Sequence, residues 1–333
     1  MIWLNVGKRQ LNHLTIKEKV VVLIGPTAVG KTNLSVELAK KYDGEIISGD
    51  SMQIYKGMDI ATAKISPEEM QGVPHHLIDI VEPDESFSVA QFQELVRKKI
   101  TEITARGKLP FIVGGTGLYI QAVLYDYQFQ ETASDSAFRV KLEEMAQREG
   151  SLRVHDRLKE IDPDAAAAIH HHNVRRVIRA LEVFHVTGRK MSEIQKEQKQ
   201  EALYDAALIG LTMDREILYE RINKRVDQML DNGLLEEVEH FYHQGIRDCQ
   251  SIQAIGYKEI YKYYDGLLSL NESIEELKQN SRRYAKRQLT WFRNKMNVQW
   301  YDMTDTVKTN DITKKIQEIS SYLEGMLEIK SNT

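Results

Sequence analysis

Eight consecutive residues, Gly25-Pro26-Thr27-Ala28-Val29-Gly30-Lys31-Thr32, follow the apolar run Val20–Ile24 and precede a segment of helical composition from Asn33 to Tyr42. A G-x-x-x-x-G-K-T spacing between a buried strand and a helix suits a loop that wraps phosphate. The glycines let successive backbone N–H groups converge on phosphate oxygens without a Cβ in the way. Lys31 adds a point charge, the helix offers its positive N-terminal end, and the Thr32 hydroxyl is placed to hold Mg²⁺. The motif therefore predicts a bound diphosphate or triphosphate, nucleotide or not. A second chemical group is Asp50-Ser51-Met52-Gln53. A carboxylate there suits a Mg²⁺ ligand, a general base or a cap on local backbone. The polar run Tyr55–Lys64 after it has too few apolar residues for core. The third group is Gly114-Gly115-Thr116-Gly117-Leu118-Tyr119. A nucleotide hydrolase usually places a Mg²⁺-binding aspartate at the end of such a strand. Glycines and a threonine stand here instead, which weakens an ATPase reading and predicts room for a close-packed organic group.

The elements that must position these residues alternate in type. Strands are expected at Val20–Ile24, Glu45–Ser48, His76–Val81, Leu109–Val113, Ala206–Met213 and Asn297–Tyr301. A helix from Val89 to Thr104 opens on the capping box Ser88/Gln91 and stops at Gly107, with Phe92, Leu95, Val96, Ile100 and Ile103 at helical spacing. Another after Met213 puts Ile217, Leu218, Ile222, Val226, Met229 and Leu230 on one face, and a terminal helix reaches about Leu327. Alternation of this kind implies a parallel sheet covered by helices, with ligands at the carboxyl ends of the strands. The phosphate loop, Asp50 and Gly114–Gly117 all fall at such ends.

Between about Thr132 and Gln200 the strand signal stops and the chain becomes polar and helical. The fold class expected is therefore α/β, a P-loop NTPase-like parallel sheet flanked by helices, with an all-helical insertion domain. Its core would comprise 1–130 and 201–333 and the insertion 131–200. A length of 333 residues with 42% apolar and 28% charged residues is ordinary globular composition. The single cysteine, Cys249, excludes a disulfide framework and suits a reducing, cytoplasmic setting. No stretch reads as a signal peptide or membrane span. Net charge is −4, so contact with nucleic acid requires local basic patches. Two candidates exist: Arg175, Arg176 and Arg179 share a helix side, and Arg282, Arg283, Lys286, Arg287 and Arg293 surround Trp291 and Phe292 without an acidic residue. The tract His170-His171-His172 resembles a metal ligand set, but adjacent residues diverge on a helix, so it reads as an insertion surface.

The phosphate loop, Ser48–Lys64, Gly114–Tyr119, Asn173–Arg176 with Arg179–Phe184, and Arg282–Arg293 together resemble the bacterial tRNA dimethylallyltransferases, in order, over about residues 20–300. Ala61, where the family often has glycine, and Gly49 are small departures, and residues 1–19 lie outside the likeness. The resemblance implies transfer of a dimethylallyl group from its diphosphate to the N6 amine of the adenosine 3′-adjacent to the anticodon, in tRNAs reading codons that begin with U. It implies that Gly25–Thr32 holds the diphosphate, that Lys31 stabilises the leaving charge and that Thr32 coordinates Mg²⁺. Asp50 becomes the base for the N6 proton, Thr116 a hydrogen-bonding group near the reacting centre, and Arg225, with Arg221, a second cation on the diphosphate. Ser51, Met52 and Gln53 would surround the adenine, whereas Tyr119 reads rather as a core or rim aromatic. Arg139, Arg175, Arg176, Arg179, Arg282, Arg283, Lys286 and Arg287 would contact the anticodon stem-loop. A monomer suffices for such a site.

Three other classes share parts of this pattern. A small-molecule kinase would use the phosphate loop for ATP and has no need of the insertion. An adenylate isopentenyltransferase would run the same donor chemistry on a free nucleotide. A non-enzymatic RNA-binding module would not need Lys31, Thr32 and Asp50 intact.

Overall fold

The computed structural model describes residues 17–127, 135–197 and 201–332. Six strands, β1 (Lys19–Ile24), β2 (Gly44–Ser48), β3 (His75–His76), β4 (Leu109–Gly114), β5 (Asp205–Thr212) and β6 (Gln299–Asp302), form one sheet in the order β3-β2-β4-β1-β5-β6. Every pairing is parallel, with Val21 against Phe111 on one side and Ala207 on the other. Such strands are buried on both faces and read as unbroken apolar runs, as Val20–Ile24 does.

Helices α1 (Lys31–Lys41), α2 (Pro67–Met70), α3 (Val89–Ala105) and α4 (Gly117–Leu124) complete the first half of this unit. Val21 and Leu23 pack with Leu34 and Leu38 of α1 and with Ile319 and Leu323 near the end of the chain. In the capping box of α3, the Gln91 N–H donates to Ser88 Oγ at 3.2 Å and the Ser88 N–H donates to Gln91 Oε1 at 2.8 Å. Phe92, Val96, Ile100 and Ile103 are buried, but Leu95 is 38% exposed and leaves the expected apolar face. The strand expected over His76–Val81 is also corrected. Leu77 and Asp79 have φ of 61° and 56°, so their left-handed backbone breaks the strand after His76, and only a bridge from Tyr55 to Val81 follows.

Helices α5 (Ser136–Glu149), α6 (Ser151–Ile161), α7 (Pro163–Ala168), α8 (Val174–Thr187) and α9 (Met191–Glu197) form a second compact unit, Tyr125–Glu201. Its own core includes Leu142, Val154, Leu158, Val177 and Leu181. The first unit combines the described residues up to Leu124 with those from Ala202 onward. The boundary expected at 130/131, and residues 1–16, lie outside the described residues. After β5 come α10 (Arg215–Asp231), α11 (Leu234–His243), α12 (Tyr257–Tyr264), α13 (Leu270–Lys295), α14 (Thr304–Thr309) and α15 (Thr313–Leu327). Of the apolar face expected on α10, Leu218, Ile222 and Val226 are buried and the rest half-buried. Among the described residues no helix is long and apolar enough to cross a membrane.

Candidate active site

The carboxyl ends of β1, β2 and β4 open onto a cavity of about 330 Å³, lined by Lys31, Thr32, Asp50, Arg225, Tyr284 and Gln288 among others. Gly30 caps α1 at φ 105°, a left-handed conformation that favours glycine, and thereby turns the loop into the helix. Lys31 folds onto its own loop, its Nζ donating to the carbonyls of Gly25 and Pro26 at 2.9 and 2.8 Å. Burial, reinforced by the Arg225 charge and only partly offset by Asp50, lowers the Lys31 ammonium to about 7. Thr27 and Thr32 line the cavity.

The Asp50 carboxyl is shifted in the opposite direction. Burial raises it, against the Met52 N–H, which donates to Oδ1 at 2.9 Å, and against the charges of Lys31 and Arg225. A carboxylate between two cations, with its pKa moved toward neutrality, suits a general base. Arg225 Nη1 donates to Thr27 Oγ1 at 3.4 Å, inside the cavity. Arg221 is placed differently: its Nε donates to the Ala28 carbonyl at 2.8 Å, bracing the loop, and the residue does not line the cavity. Ala28 holds φ 65°, and Val29 is buried in the core.

Ser51 and Met52 line the cavity. Gln53 does as well, but both ends of its amide are engaged. Ser48 Oγ donates to Oε1 at 2.9 Å, and Nε2 donates to the carbonyls of Thr62 and Ala63 at 3.3 Å. Gln53 thus ties the Asp59–Lys64 loop to β2 rather than presenting a free amide edge. Thr116 stands behind the cavity wall, accepting the Ser51 N–H at 3.0 Å. Tyr119 is buried against Phe92, with ring centroids 4.6 Å apart, and belongs to the core.

The strand-end glycines answer to protein neighbours. An added Cβ would lie 2.3 Å from the Gly49 carbonyl carbon at Gly114, 2.0 Å from Gln288 Nε2 at Gly115, and 2.2 Å from the Trp291 ring at Gly117. The space expected for an organic group is therefore filled by Gly49 and by α13. Gln288, buried, accepts the Thr27 N–H at 3.1 Å and donates to the Gly115 carbonyl at 3.1 Å, clamping the loops after β1 and β4 together. The Tyr284 hydroxyl bonds the side chains of Thr116 and Gln288, and burial together with the Asp50 charge drives its pKa upward. The sequence drew attention to the charges of this helix and to Trp291 and Phe292, but not to Tyr284 and Gln288. The missed signal is the spacing of Leu277, Ser281, Tyr284, Gln288 and Trp291, which is one helical face.

Glu237 of α11 was also missed. Its carboxylate accepts the N–H groups of Asp59, Ile60 and Ala61 at 2.8, 2.6 and 3.1 Å and the Tyr257 hydroxyl at 2.5 Å. Lys64 closes the same loop through the Tyr55 carbonyl, 2.9 Å away, and through Asp59 and Asp79. Ala61, Thr62 and Ala63 then form a wall of the cavity.

The basic residues divide. In the first unit Arg283, Lys286 and Arg287 are exposed, whereas Arg282 is half-buried and donates to Asn223 Oδ1 at 2.5 Å. In the second unit Arg175 and Arg176 are exposed on the first turn of α8. Arg139 and Arg179 lie 2.8 and 2.6 Å from the fully buried carboxylate of Glu182, which they neutralise. His170–His172 form a turn between α7 and α8, so the helical geometry expected of them is overturned.

A buried carboxylate, a glycine-bearing loop and two basic side chains around one cavity suit group transfer on a parallel α/β sheet. The sequence model described as IPP transferase matches residues 53–295, and the chain belongs to this family. A tRNA dimethylallyltransferase of Bacillus pumilus (strain SAFR-032) is 64% identical over 315 residues, covering 95% of this chain and 98% of the relative. Among solved structures, the full-length tRNA isopentenylpyrophosphate transferase of Bacillus halodurans is similar at 57% identity with a TM-score of 0.72, covering 94% of this chain and 97% of that one. A eukaryotic dimethylallyltransferase acting on tRNA reaches a TM-score of 0.79 at 31% identity, over 95% of this chain and 81% of its own.

Proposed function

We propose that this enzyme transfers the dimethylallyl group of dimethylallyl diphosphate to the N6 amine of the tRNA adenosine 3′-adjacent to the anticodon, in tRNAs reading codons that begin with U. The observation that carries the reading is the convergence of Lys31, Thr32 and Arg225 with Asp50 in one cavity. Family membership and the names of the relatives support the substrate pair.

In the reaction, the N6 nitrogen attacks C1 of the dimethylallyl group, the C1–O bond breaks, and the electron pair leaves with the diphosphate. The N6 proton passes to Asp50. An aromatic amine is a weak nucleophile until that proton is being lost, so a positioned carboxylate contributes ~10²–10⁴-fold. Lys31 and Arg225 stabilise the charge gathering on the leaving oxygen. The residues present fit Mg²⁺: Thr32 offers a hard oxygen donor at the cavity, and substrate phosphates usually complete such a shell. When bound, Mg²⁺ would supply further neutralisation of the leaving diphosphate. The adenine reaches the cavity only out of its base stack. Ser51 and Met52 are the groups that would meet it, with Thr116 and Tyr284 fixing the Ser51 backbone from behind.

The test is one assay with purified protein, Mg²⁺ and radiolabelled dimethylallyl diphosphate, offering unmodified tRNA and AMP as competing acceptors. Label in tRNA alone is expected. Label in AMP would move the acceptor to a free nucleotide, and label in neither, with ATP bound instead, would overturn the reading.

A further inference from the structure

The three histidines at 170–172 take no part in the reaction above. Because they form a turn, their rings converge instead of splaying around a helix. Ring centroids lie 4.0 Å apart for His171 and His172, 4.3 Å for His170 and His171, and 5.1 Å for His170 and His172. One ring nitrogen from each lies within 4.8 Å of the other two. His170 and His172 are exposed and His171 is half-buried, so entry is open.

The turn is held in place from outside the cluster. His155 Nε2 bonds the carbonyls of Ala166 and Ile169 at 3.1 and 2.8 Å, which fixes the backbone immediately before His170. Ser151 Oγ stands 3.3 Å from Nδ1 of His171. Metal-bound imidazoles usually have such an oxygen partner on the second ring nitrogen, because it fixes tautomer and orientation. The His170 Nδ1 accepts the His172 N–H at 3.3 Å, a long bond that a stronger acceptor-pair interaction can displace.

We propose that the His170–His172 turn binds one divalent transition-metal ion of the zinc, nickel or copper type, with its remaining coordination positions open to water. Among the described residues no carboxylate joins the cluster, so Mg²⁺ and Ca²⁺, which need oxygen ligands, are disfavoured. Zinc–nitrogen bonds of ~2.0–2.1 Å place tetrahedral ligand atoms roughly 3.4 Å apart. Closing from the present separation takes a shift of ~1.5 Å by side-chain rotation, available to exposed histidines. The inference is independent of the reaction proposed for the cavity in the first unit.

The test is calorimetric titration of the full-length protein with zinc sulfate at pH 7.5, with Mg²⁺ present. Wild type, His171→Asn and the double variant His170→Asn/His172→Asn are compared after confirming equal melting temperatures. One equivalent of zinc is expected, weakened roughly tenfold or more by His171→Asn and further by the double change. A parallel cobalt titration, read by visible absorption, keeps the question answerable if one variant folds poorly. Imidazole ligation gives d–d bands in wild type that the remaining variant lacks. Equal zinc affinity in the double variant, or no wild-type binding at ~100 µM zinc, would overturn the proposal.

Discussion

The opposed shifts of Lys31 and Asp50 have consequences that a pH series reads directly. Burial lowers Lys31 to about 7, and a diphosphate beside it would restore the charged form. Donor binding above pH 7 therefore takes up a proton, and affinity falls as pH rises, by at most about tenfold per unit. Calorimetry at pH 8 in buffers of different ionisation heat should show close to one proton taken up per dimethylallyl diphosphate, and less at pH 6. Zero uptake at pH 8 would remove Lys31 from the diphosphate. As the proposed base Asp50 would act in its ionised form, so with its pKa raised by burial, kcat should fall as pH drops through that raised value. Asp50→Ala should leave tRNA affinity largely intact and lower turnover by ~10²–10⁴-fold, and a loss under tenfold would end its role as base. The placement of Gly25–Thr32 and Asp50 beyond the ends of β1 and β2 was legible because a strand, a glycine turn and a helix leave a fixed residue pattern. Gln53 lines the cavity, and only the fold reveals that Ser48 and the Thr62 and Ala63 carbonyls already engage its amide.

Among elements, α13 joins the others into a site. Its approach to β4 requires Gly115 and Gly117 to lack side chains, because a Cβ at either would meet Gln288 or Trp291, whereas Gly114 is crowded by Gly49. Gly114→Ala places a Cβ on the Gly49 backbone, which cannot rotate away, and should cost ~1–3 kcal/mol by denaturant unfolding. The same change at Gly325, in α15 with open space around it, should instead stabilise by ~0.5–1 kcal/mol. Equal effects at both positions would refute the packing account. Glu237→Gln exchanges an acceptor oxygen for a donor, leaving one or two of the Asp59–Ala61 N–H groups unpaired at ~1–3 kcal/mol. Because this loop walls the cavity, KM should rise by more than kcat falls; unchanged kinetics would confine Glu237 to scaffolding. Parallel strands with continuous apolar runs were readable from sequence. Less so were β3, broken by two left-handed residues that no hydrophobic pattern encodes, and the His170–His172 turn, where a helix was assumed.

For the whole molecule, the first unit is assembled from two stretches of chain separated by the helical unit. Arg175 and Arg176, exposed on α8, should contribute to tRNA affinity through phosphate contacts. Replacing both by alanine is expected to flatten the dependence of log K on log salt by roughly one to two units, and an unchanged slope would clear them of RNA contact. Arg139 and Arg179, paired with buried Glu182, should cost stability when removed. Sequence charge alone could not separate the two pairs, since the partner sits in the fold rather than beside them. The central strand β1 pairs Val21 with Ala207. At ribosomal speeds of about 5–20 residues per second, the strand waits on the order of ten to forty seconds for that neighbour to be synthesised. Throughout that interval one edge of an almost wholly apolar strand stands open, and Gln288, which closes the phosphate loop, comes later still. Protection of this nascent edge, rather than the stability of the finished enzyme, is then the step most exposed to aggregation, and chains halted before β5 should be held by chaperones instead of folding.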